Sequence, residues 1–179
     1  SQIFSSYSAC QVVGREKNVG GLTGLNDEAS IISDCYALGQ VSGADLVGGL
    51  IGRNRYNASV ISSFSIGFVS GDEDGDYISG FIGRNQAVVE AGFWDIETSG
   101  NVNGDGAGLS TAEMKTQSTY MEAGWDFDTA WQINDENNDG YPYLQWQTEA
   151  YLPEESAVSF LDAVTFSHAA GFYNANFEL

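Results

Sequence analysis

A short glycine-rich string that recurs three times is the feature that most constrains how this chain can fold. The copies read VGGLTGLN from Val19, VGGLIGRN from Val47 and ISGFIGRN from Ile78, and their starts lie 28 and then 31 residues apart. A unit this short cannot bury its own apolar face, but stacked copies bury a continuous one. The period therefore predicts a solenoid, in which each copy occupies the same place in successive coils.

A second string recurs between the copies of the first. It reads IFSSYSACQVVG, ISDCYALGQVSG, ISSFSIGFVSG and, in degenerate form, VEAGFWDIETSG from Val89. These runs are rich in β-branched residues and bounded by glycine, which is typical of strands. Val47 and Leu50 would point to opposite faces of an unbroken strand. We expect the glycine pair between them to bend the chain so that both point inward.

These patterns predict an all-β fold, a right-handed parallel β-solenoid (β-helix). The hand follows from the preferred chirality of crossovers between parallel strands. Asn26, Asn54 and Asn85 fall at the same place in successive coils. They are interpreted either as a ladder of side chains hydrogen-bonded along the stack or as plain turn residues.

The two cysteines do not align in the repeats, because Cys10 falls opposite Gly39 and four positions away from Cys35. That offset separates the sulfurs by about 13 Å along a strand, well beyond the reach of a disulfide. We therefore predict no bridge, with both cysteines packed as small apolar side chains.

The repeated strings resemble GLUG repeats, which occur in bacterial and archaeal surface proteins, adhesins and some immunoglobulin A peptidases. The matching tetrapeptides begin at Gly21, Gly49 and Gly80. The resemblance continues through FWDIETSG, GLSTAEMKT, GWDFDTAWQI and DGYPYLQWQ, so that it covers about residues 1–148. It implies surface display with a role in adhesion or scaffolding, and it supplies no catalytic residues.

The chain divides into four predicted regions, with residues 1–100 forming the coils. Residues 101–148 are predicted to form a mixed α/β cap, with a helix from Thr111 to Met121 that opens at a capping box on Ser110 and Glu113. Aromatic side chains of this region would plug the last coil, or alternatively form a sugar-binding platform. They are Trp125, Phe127, Trp131, Tyr141, Tyr143 and Trp146, with Leu144 among them.

Residues 149–162 are predicted to be a linker, and residues 163–179 the first strand of a β-sandwich segment. The string from Val164 to Leu179 resembles the opening strand of the β-sandwich domain found at chitobiase C-termini. Such a strand either belongs to a truncated domain or docks onto an exposed sheet edge.

The formal net charge of −19 narrows the range of partners. Six lysines and arginines face 25 acidic residues, whereas nucleic acid demands a basic footprint. The sequence therefore predicts no nucleic-acid partner, and it has no apolar run long enough for membrane insertion. We expect a secreted or cell-surface location, with an extracellular glycan or protein as partner and self-association through the solenoid ends or the C-terminal strand.

Two acidic segments are candidate calcium sites. Asp135, Asn137 and Asp139 alternate ahead of Gly140, as in the first half of a calcium loop, although Trp146 replaces the final glutamate. Asp72, Asp74 and Asp76 form the second candidate, because three crowded carboxylates repel one another and a cation would relieve that repulsion. Plain Asp/Asn/Gly turns are the alternative for both segments.

Catalysis has little support in the sequence. The single histidine, His168, excludes triads that need histidine and zinc sites with several histidines. We therefore expect a non-catalytic stalk, scaffold or adhesin module. The alternatives are a carbohydrate-binding accessory module, which needs exposed aromatics on one face, and a β-helical glycan-cleaving enzyme, which needs two close carboxylates.

Overall fold

A computed structural model of the protein describes residues 1–72 and 75–147, together with two short strands further along the chain. Three complete coils and the start of a fourth make up the first part. The first coil contains β1 Gln2–Ser8, β2 Val12–Val13, β3 Lys17–Gly20 and β4 Thr23–Asn26. The second contains β5 Ile31–Ala37, β6 Val41–Gly43, β7 Asp45–Gly48 and β8 Ile51–Asn54. The third contains β9 Ser59–Ser65, β10 Val69–Gly71, β11 Ile78–Ser79 and β12 Ile82–Asn85, and β13 Val88–Asp95 opens the fourth.

Each strand pairs in parallel with its counterpart in the next coil. The sheets run β1-β5-β9-β13, β2-β6-β10, β3-β7-β11 and β4-β8-β12. The register places Val19 beside Val47 and Val47 beside Ile78, which is the alignment that the repeated strings predict. The predicted parallel β-solenoid is confirmed, while its hand stays a prediction.

The glycine pair at residues 48–49 has the predicted effect. Val47 ahead of it and Leu50 after it are both fully buried. A Cβ on Gly48 would press against the Ile51 carbonyl oxygen, and one on Gly49 against the Gly80 carbonyl oxygen of the next coil. Only glycine fits where two stacked backbones approach this closely.

A residue with left-handed backbone interrupts the first strand of every coil. These residues are Ser5, Asp34, Ser62 and Ala91, with φ between 43° and 53°, and they occupy equivalent places in the registers of β1, β5, β9 and β13. None of them is glycine, so the sequence carries no signal for this kink. The strands stay paired one residue to one on both sides of it, so the same kink recurs in each coil without a change of register.

The sheet that contains β5 is buried on both faces. Ile32, Cys35 and Ala37 pack inside the coils with Leu50 and Phe81. Tyr36 and its counterparts in the neighbouring coils point the other way and pack against the C-terminal part of the chain.

The part after β13 contains three short helices and three short strands. They are α1 Ile96–Ser99, β14 Ala107–Leu109, α2 Thr111–Met114, α3 Gln117–Glu122, β15 Trp131–Gln132 and β16 Tyr143–Leu144, with 3-10 turns at Asn138–Gly140 and Gln145–Gln147. β14 pairs in parallel with β13, and β15 pairs antiparallel with β16.

The capping box of Ser110 and Glu113 is present, but the prediction of one helix from Thr111 to Met121 is wrong. The helix breaks at residues 115–116, where the Thr116 hydroxyl donates to the Ala112 carbonyl and the Thr116 N–H turns to Glu113 O. The side chain thus takes the carbonyl that would have continued the helix.

The predicted position of the aromatic residues is also wrong. Residues 111–147, called the clamp below, do not plug the end of the last coil but pack along the side of the stack, on the outer face of the β1-β5-β9-β13 sheet. Core packing itself is confirmed for Trp125, Trp131, Tyr141, Tyr143 and Leu144, all of which are buried. Trp146, by contrast, is 48% exposed.

The two strands beyond the clamp are β17 His168–Ala169 and β18 Phe172–Tyr173, which pair antiparallel. The predicted linker at 149–162 lies outside the described residues, as does most of the segment at 163–179. Both assignments stay predictions.

Candidate functional site

The segment around Asp135, Asn137 and Asp139 is folded by contacts within the protein. The Asp139 carboxylate forms a salt bridge with Lys115 Nζ at 3.0 Å. The backbone N–H and the side-chain amide of Asn137 both donate to Asn134 Oδ1, at 2.9 and 3.0 Å. Asn134, which the calcium-loop pattern does not include, therefore organises this turn.

The second candidate segment is a surface turn near the third coil. Asp72 is exposed and its carbonyl accepts a hydrogen bond from Gly75 N–H at 2.9 Å. Asp76 is also exposed, and its carbonyl accepts from Leu46 N–H of the coil before. Asp74 lies outside the described residues.

Within residues 1–72 and 75–147, no group of three or more His, Cys, Asp or Glu side chains is arranged to hold a metal ion. In the first segment the Lys115 ammonium already neutralises Asp139. Calcium at Asp72, Asp74 and Asp76 stays a prediction, because the middle residue is not described.

The asparagine ladder is the most regular polar feature of the stack. Asn26 Nδ2 donates to Asn54 Oδ1 at 2.9 Å, and Asn54 Nδ2 donates to Asn85 Oδ1 at 2.8 Å. Asn26 Nδ2 and Asn54 Nδ2 each also donate to a backbone carbonyl that lies just past the next asparagine of the ladder, Ser59 O and Val88 O respectively. Of the two interpretations of these asparagines, the hydrogen-bonded ladder is the one that the structure confirms, and Asn54 at its centre is fully buried.

An aromatic ladder runs parallel to it on the outer face of the first sheet. Tyr7 stacks on Tyr36 with ring centroids 5.1 Å apart, and Tyr36 stacks on Phe64 at 4.9 Å. Phe93 follows in the same register. These separations match the spacing of neighbouring strands, so the rings stack because the coils do.

The clamp covers this ladder from the last coil to the first. Tyr120 packs edge-on against Phe93 at 5.3 Å, and Trp131 lies 6.0 Å from both Tyr36 and Phe64. Trp146 reaches Tyr7 at 6.0 Å, where its Nε1 donates to Ser5 O. The clamp therefore joins coils that are far apart in the chain, a contact for which local sequence patterns carry no signal.

Asp95 ties the start of the clamp to the fourth coil. The carboxylate is buried and accepts from Glu97 N–H, Thr98 N–H, the Thr111 hydroxyl and the Tyr141 hydroxyl. Burial alone would raise the pKa of Asp95, but these four hydrogen bonds together hold it below its ordinary value. Burial and the adjacent carboxylate raise the pKa of Tyr141, which keeps its hydroxyl a donor.

Neither cysteine forms a disulfide. Cys10 stacks on Gly39, as the repeats predict, but it is exposed, so the prediction that it packs as an apolar side chain is wrong. Cys35 is fully buried inside the second coil, and burial raises the pKa of its thiol to about 11.

The parallel coils, the stacked asparagines and the glycine corners define a repeat β-solenoid. Comparison with known families agrees, since residues 16–42 match the family model described as the GLUG motif. This match confirms the resemblance that the repeated strings carry.

Two individual proteins are also similar. A protein of Evansella cellulosilytica, named "Putative Gly-rich membrane protein", is 36% identical over 129 residues, which are 70% of this chain and 12% of that protein. A crystal structure of "a putative immunoglobulin A1 protease from Bacteroides ovatus" is 15% identical, with a TM-score of 0.44 over 81% of this chain and 57% of that one. The chain thus spans about an eighth of the length of the Evansella protein. No helix among the described residues is long and apolar enough to cross a membrane.

Proposed function

We propose that this chain is a non-catalytic repeat module of a cell-surface or secreted protein, where it acts as a stalk or scaffold that supports adhesion. The observation that carries the proposal is the pair of ladders that run through successive coils under a clamp that joins the last coil to the first. A stack held in this way acts as a stiff spacer, because bending it would open buried hydrogen bonds and ring contacts together.

The matches with known proteins support the location. The GLUG motif at residues 16–42 and the Gly-rich relative, whose name places it at a membrane, both fit a surface repeat protein. Strong acidity also fits a soluble extracellular surface that resists association by self-repulsion. Within the proposal, the adhesive partner is an extracellular glycan or protein.

The described polar groups with shifted pKa values favour structural roles. Asp95 has all its hydrogen bonds supplied by the protein itself, and Cys35 is buried with its thiol kept protonated. A glycan-cleaving enzyme needs instead two carboxylates that face a bound sugar. For this reason the proposal is a non-catalytic one.

The exposed aromatic side chains favour a spacer over a sugar-binding platform. Tyr56 lies in the turn between β8 and β9, Phe68 between β9 and β10, and Tyr77 just before β11, while Phe4 lies in β1 and Trp146 in the clamp. Tyr56, Phe68 and Tyr77 thus occupy three different corners of the coil, whereas stacking on sugar rings needs aromatic side chains on one face.

Location is the first part of the proposal to test, in cells that produce the protein. An antibody raised against the folded chain is expected to label intact cells or the medium, and external protease is expected to remove the cell label. Labelling that needs permeabilised cells would contradict the proposal. A glycan array probed with the purified chain then separates adhesion from a purely spacing role.

A further inference from the structure

Two arginines lie side by side in the second and third coils. Arg53 of β8 and Arg84 of β12 are partners in the parallel register of this sheet, so their side chains leave neighbouring strands about 4.8 Å apart. Like charges placed directly opposite each other destabilise a sheet. The fold does not require arginine at this position, because Leu25 fills it in the first coil. The pair therefore calls for a reason other than the packing of the coils.

Neither guanidinium has a carboxylate partner in the part of the chain that the structure describes. The salt bridges there use Lys17, Arg55 and Lys115. Arg53 donates from Nη2 to Gln86 Oε1 at 2.7 Å, but its buried Nε has no acceptor among the described residues. Buried donors are normally paired in folded proteins, so the protein itself does not use the full hydrogen-bonding capacity of this guanidinium.

Arg84 is held in place by an aromatic ring and not by an acceptor. Its Cζ lies 4.7 Å from the centre of the Tyr77 ring, and no hydrogen bond or salt bridge joins its guanidinium to another described residue. The N–H groups of this planar fork therefore remain free to donate. Tyr77 is itself 49% exposed, so part of its ring stays open beside the guanidinium.

The acidic residues nearby do not neutralise the pair. Asp45 already pairs with Lys17 at 3.2 Å. Asp76, which directly precedes Tyr77, is exposed and forms no salt bridge with a described residue. The net charge of −19 repels any anion at long range, but charges further away than about 8 Å are screened at physiological salt. An anion at this surface must therefore be held by direct contacts with both guanidiniums.

We propose that Arg53 and Arg84 bind the carboxylate of an acidic sugar, a uronate, within a glycan. A carboxylate has two oxygens with about four acceptor sites, enough to accept from both guanidiniums, and the guanidinium fork matches its planar shape. A carboxylate also meets about half the long-range repulsion of a phosphate dianion. The open part of the Tyr77 ring packs against the sugar ring that carries the carboxylate.

The size of the patch favours a sugar over a protein partner. Two guanidiniums and the open part of one tyrosine ring match a single sugar unit, whereas a specific protein interface covers about 800 Å² on each partner. This inference rests on the proposed function and deepens it, because it names the class of glycan that the module contacts.

The test is a calorimetric titration of the purified chain with a trimer of galacturonic acid, in about 0.15 M salt to screen distant charges. The matched ligand is the methyl ester of the same trimer, which keeps the sugar rings and lacks the charge. Arg53→Leu and Arg84→Leu are the variants, since the chain itself carries leucine at the equivalent position of the first coil. Arg15→Leu is the control, because it removes an exposed positive charge between β2 and β3.

We expect the original chain and Arg15→Leu to bind the trimer equally. Each of the other two variants is expected to bind at least about tenfold more weakly, with an unchanged melting temperature, and the methyl ester is expected not to bind. Failure of the original chain to bind, equal binding by all variants, or equal binding of the methyl ester would overturn the proposal.

Two further ligands test the assignment to a uronate. Equal or tighter binding of polyglutamate would point to a peptide carboxylate, and equal or tighter binding of a sulfated trimer to a sulfate group, and either result would overturn it. The antibody labelling of intact cells is independent of these titrations. Surface labelling without binding of the trimer would therefore refute this site alone and leave the proposed function standing.

Discussion

At the scale of single residues, Asn54 shows why the repeat needs an amide at this corner. It is fully buried, accepts from Asn26 and donates to Asn85 and to Val88 O. A carboxylate could accept but not donate, and a hydroxyl is too short to span two coils. An amide, which has both a donor and an acceptor at its end, meets the requirement in every coil.

Asn54→Asp is therefore expected to lower the free energy of unfolding by about 3 kcal/mol, since it loses two donated bonds and buries a charge. Asn85→Asp is the matched control. Its carboxylate still accepts from Asn54 Nδ2 and Ala87 N–H, and it loses only the bond to Ala87 O. Urea denaturation measures both variants, and equal losses would contradict a donating role for Asn54.

The buried Asp95 carboxylate leads to a prediction about how the stability of the fold depends on pH. Its pKa lies below the ordinary value of an aspartate, because hydrogen bonds to the carboxylate outweigh the effect of burial. A carboxyl whose pKa is depressed by folding contributes stability that is complete above its unfolded pKa and is lost as the pH falls through its folded pKa. Asp95→Asn is expected to be destabilising at pH 7, and the difference from the original chain is expected to shrink below about pH 4.

Comparing the two chains at each pH removes the general effect of acid on the other carboxyl groups. Urea denaturation from pH 3 to pH 7 measures the difference directly. A difference that stays constant over this range would mean that the Asp95 charge does not contribute to the stability of the fold.

The two thiols allow local opening of the coils to be measured without any mutation. Cys10 is exposed, whereas Cys35 is fully buried and its pKa is raised to about 11. A thiol reagent at pH 8 is expected to modify Cys10 at once and Cys35 only as the coils open, because the thiolate is the reactive species. Mass spectrometry of the peptides separates the sites, and rapid modification of Cys35 in the native chain would contradict the packing of the second coil.

At the scale of elements, the clamp packs across the stacked strands of the first sheet and joins them into one hydrophobic core. Trp131 is fully buried, lies against Tyr36 and Phe64, and donates from Nε1 to Asp34 Oδ1 at 3.0 Å. Trp125 packs beside it, with ring centroids 4.4 Å apart. The ladder rings would otherwise expose their outer surface to water, so the clamp stabilises the sheet as much as the sheet positions the clamp.

Trp131→Ala is expected to cost about 3–5 kcal/mol, because it removes a buried ring and leaves a cavity between clamp and sheet. Trp146→Ala is the control, since Trp146 is half exposed and is expected to cost about 1 kcal/mol or less. Chemical denaturation gives both values. Similar costs for the two variants would mean that the clamp does not depend on its buried centre.

The strands and the clamp differ in how well the sequence predicts them. The coils were predictable because each residue packs on its counterpart about one repeat away. The alignment of Val19, Val47 and Ile78 in the repeated strings therefore already indicates that they contact one another. The clamp was not, because Trp131 meets Asp34 across 97 positions of chain that share no pattern. The sequence predicted burial correctly for Trp125, Trp131, Tyr141 and Tyr143 but not for Trp146, and it did not predict which surface these aromatics cover.

At the scale of the whole molecule, stacking imposes a condition on charge. A charged side chain lies about 4.8 Å from its counterpart in the next coil, so identical charges in every coil would repel. The repeat avoids this at two corners, where Lys17 pairs with Asp45 at 3.2 Å and Arg55 with Asp27 at 2.8 Å. Such exposed pairs add little stability, but they remove repulsion that an acidic rod would otherwise accumulate.

Four of the five residues in the segment 72–76 are acidic, and there a cation would take the place of a basic partner. We expect millimolar calcium to raise the melting temperature relative to the same chain in chelator, because a ligand that binds only the folded state stabilises it. Asp76→Asn should abolish most of the rise. Asp139→Asn should leave it intact, since Lys115 already neutralises Asp139.

The same melting experiment with magnesium distinguishes a specific calcium site from the general attraction of cations to a chain with a net charge of −19. Calcium accepts a flexible set of carboxylate oxygens, whereas magnesium keeps most of its water. An equal rise with magnesium, or a calcium effect that survives Asp76→Asn, would therefore mean diffuse screening. No rise at all would leave the acidic segment as a solvated turn, and the stiffness of the stack would then rest on its ladders and clamp.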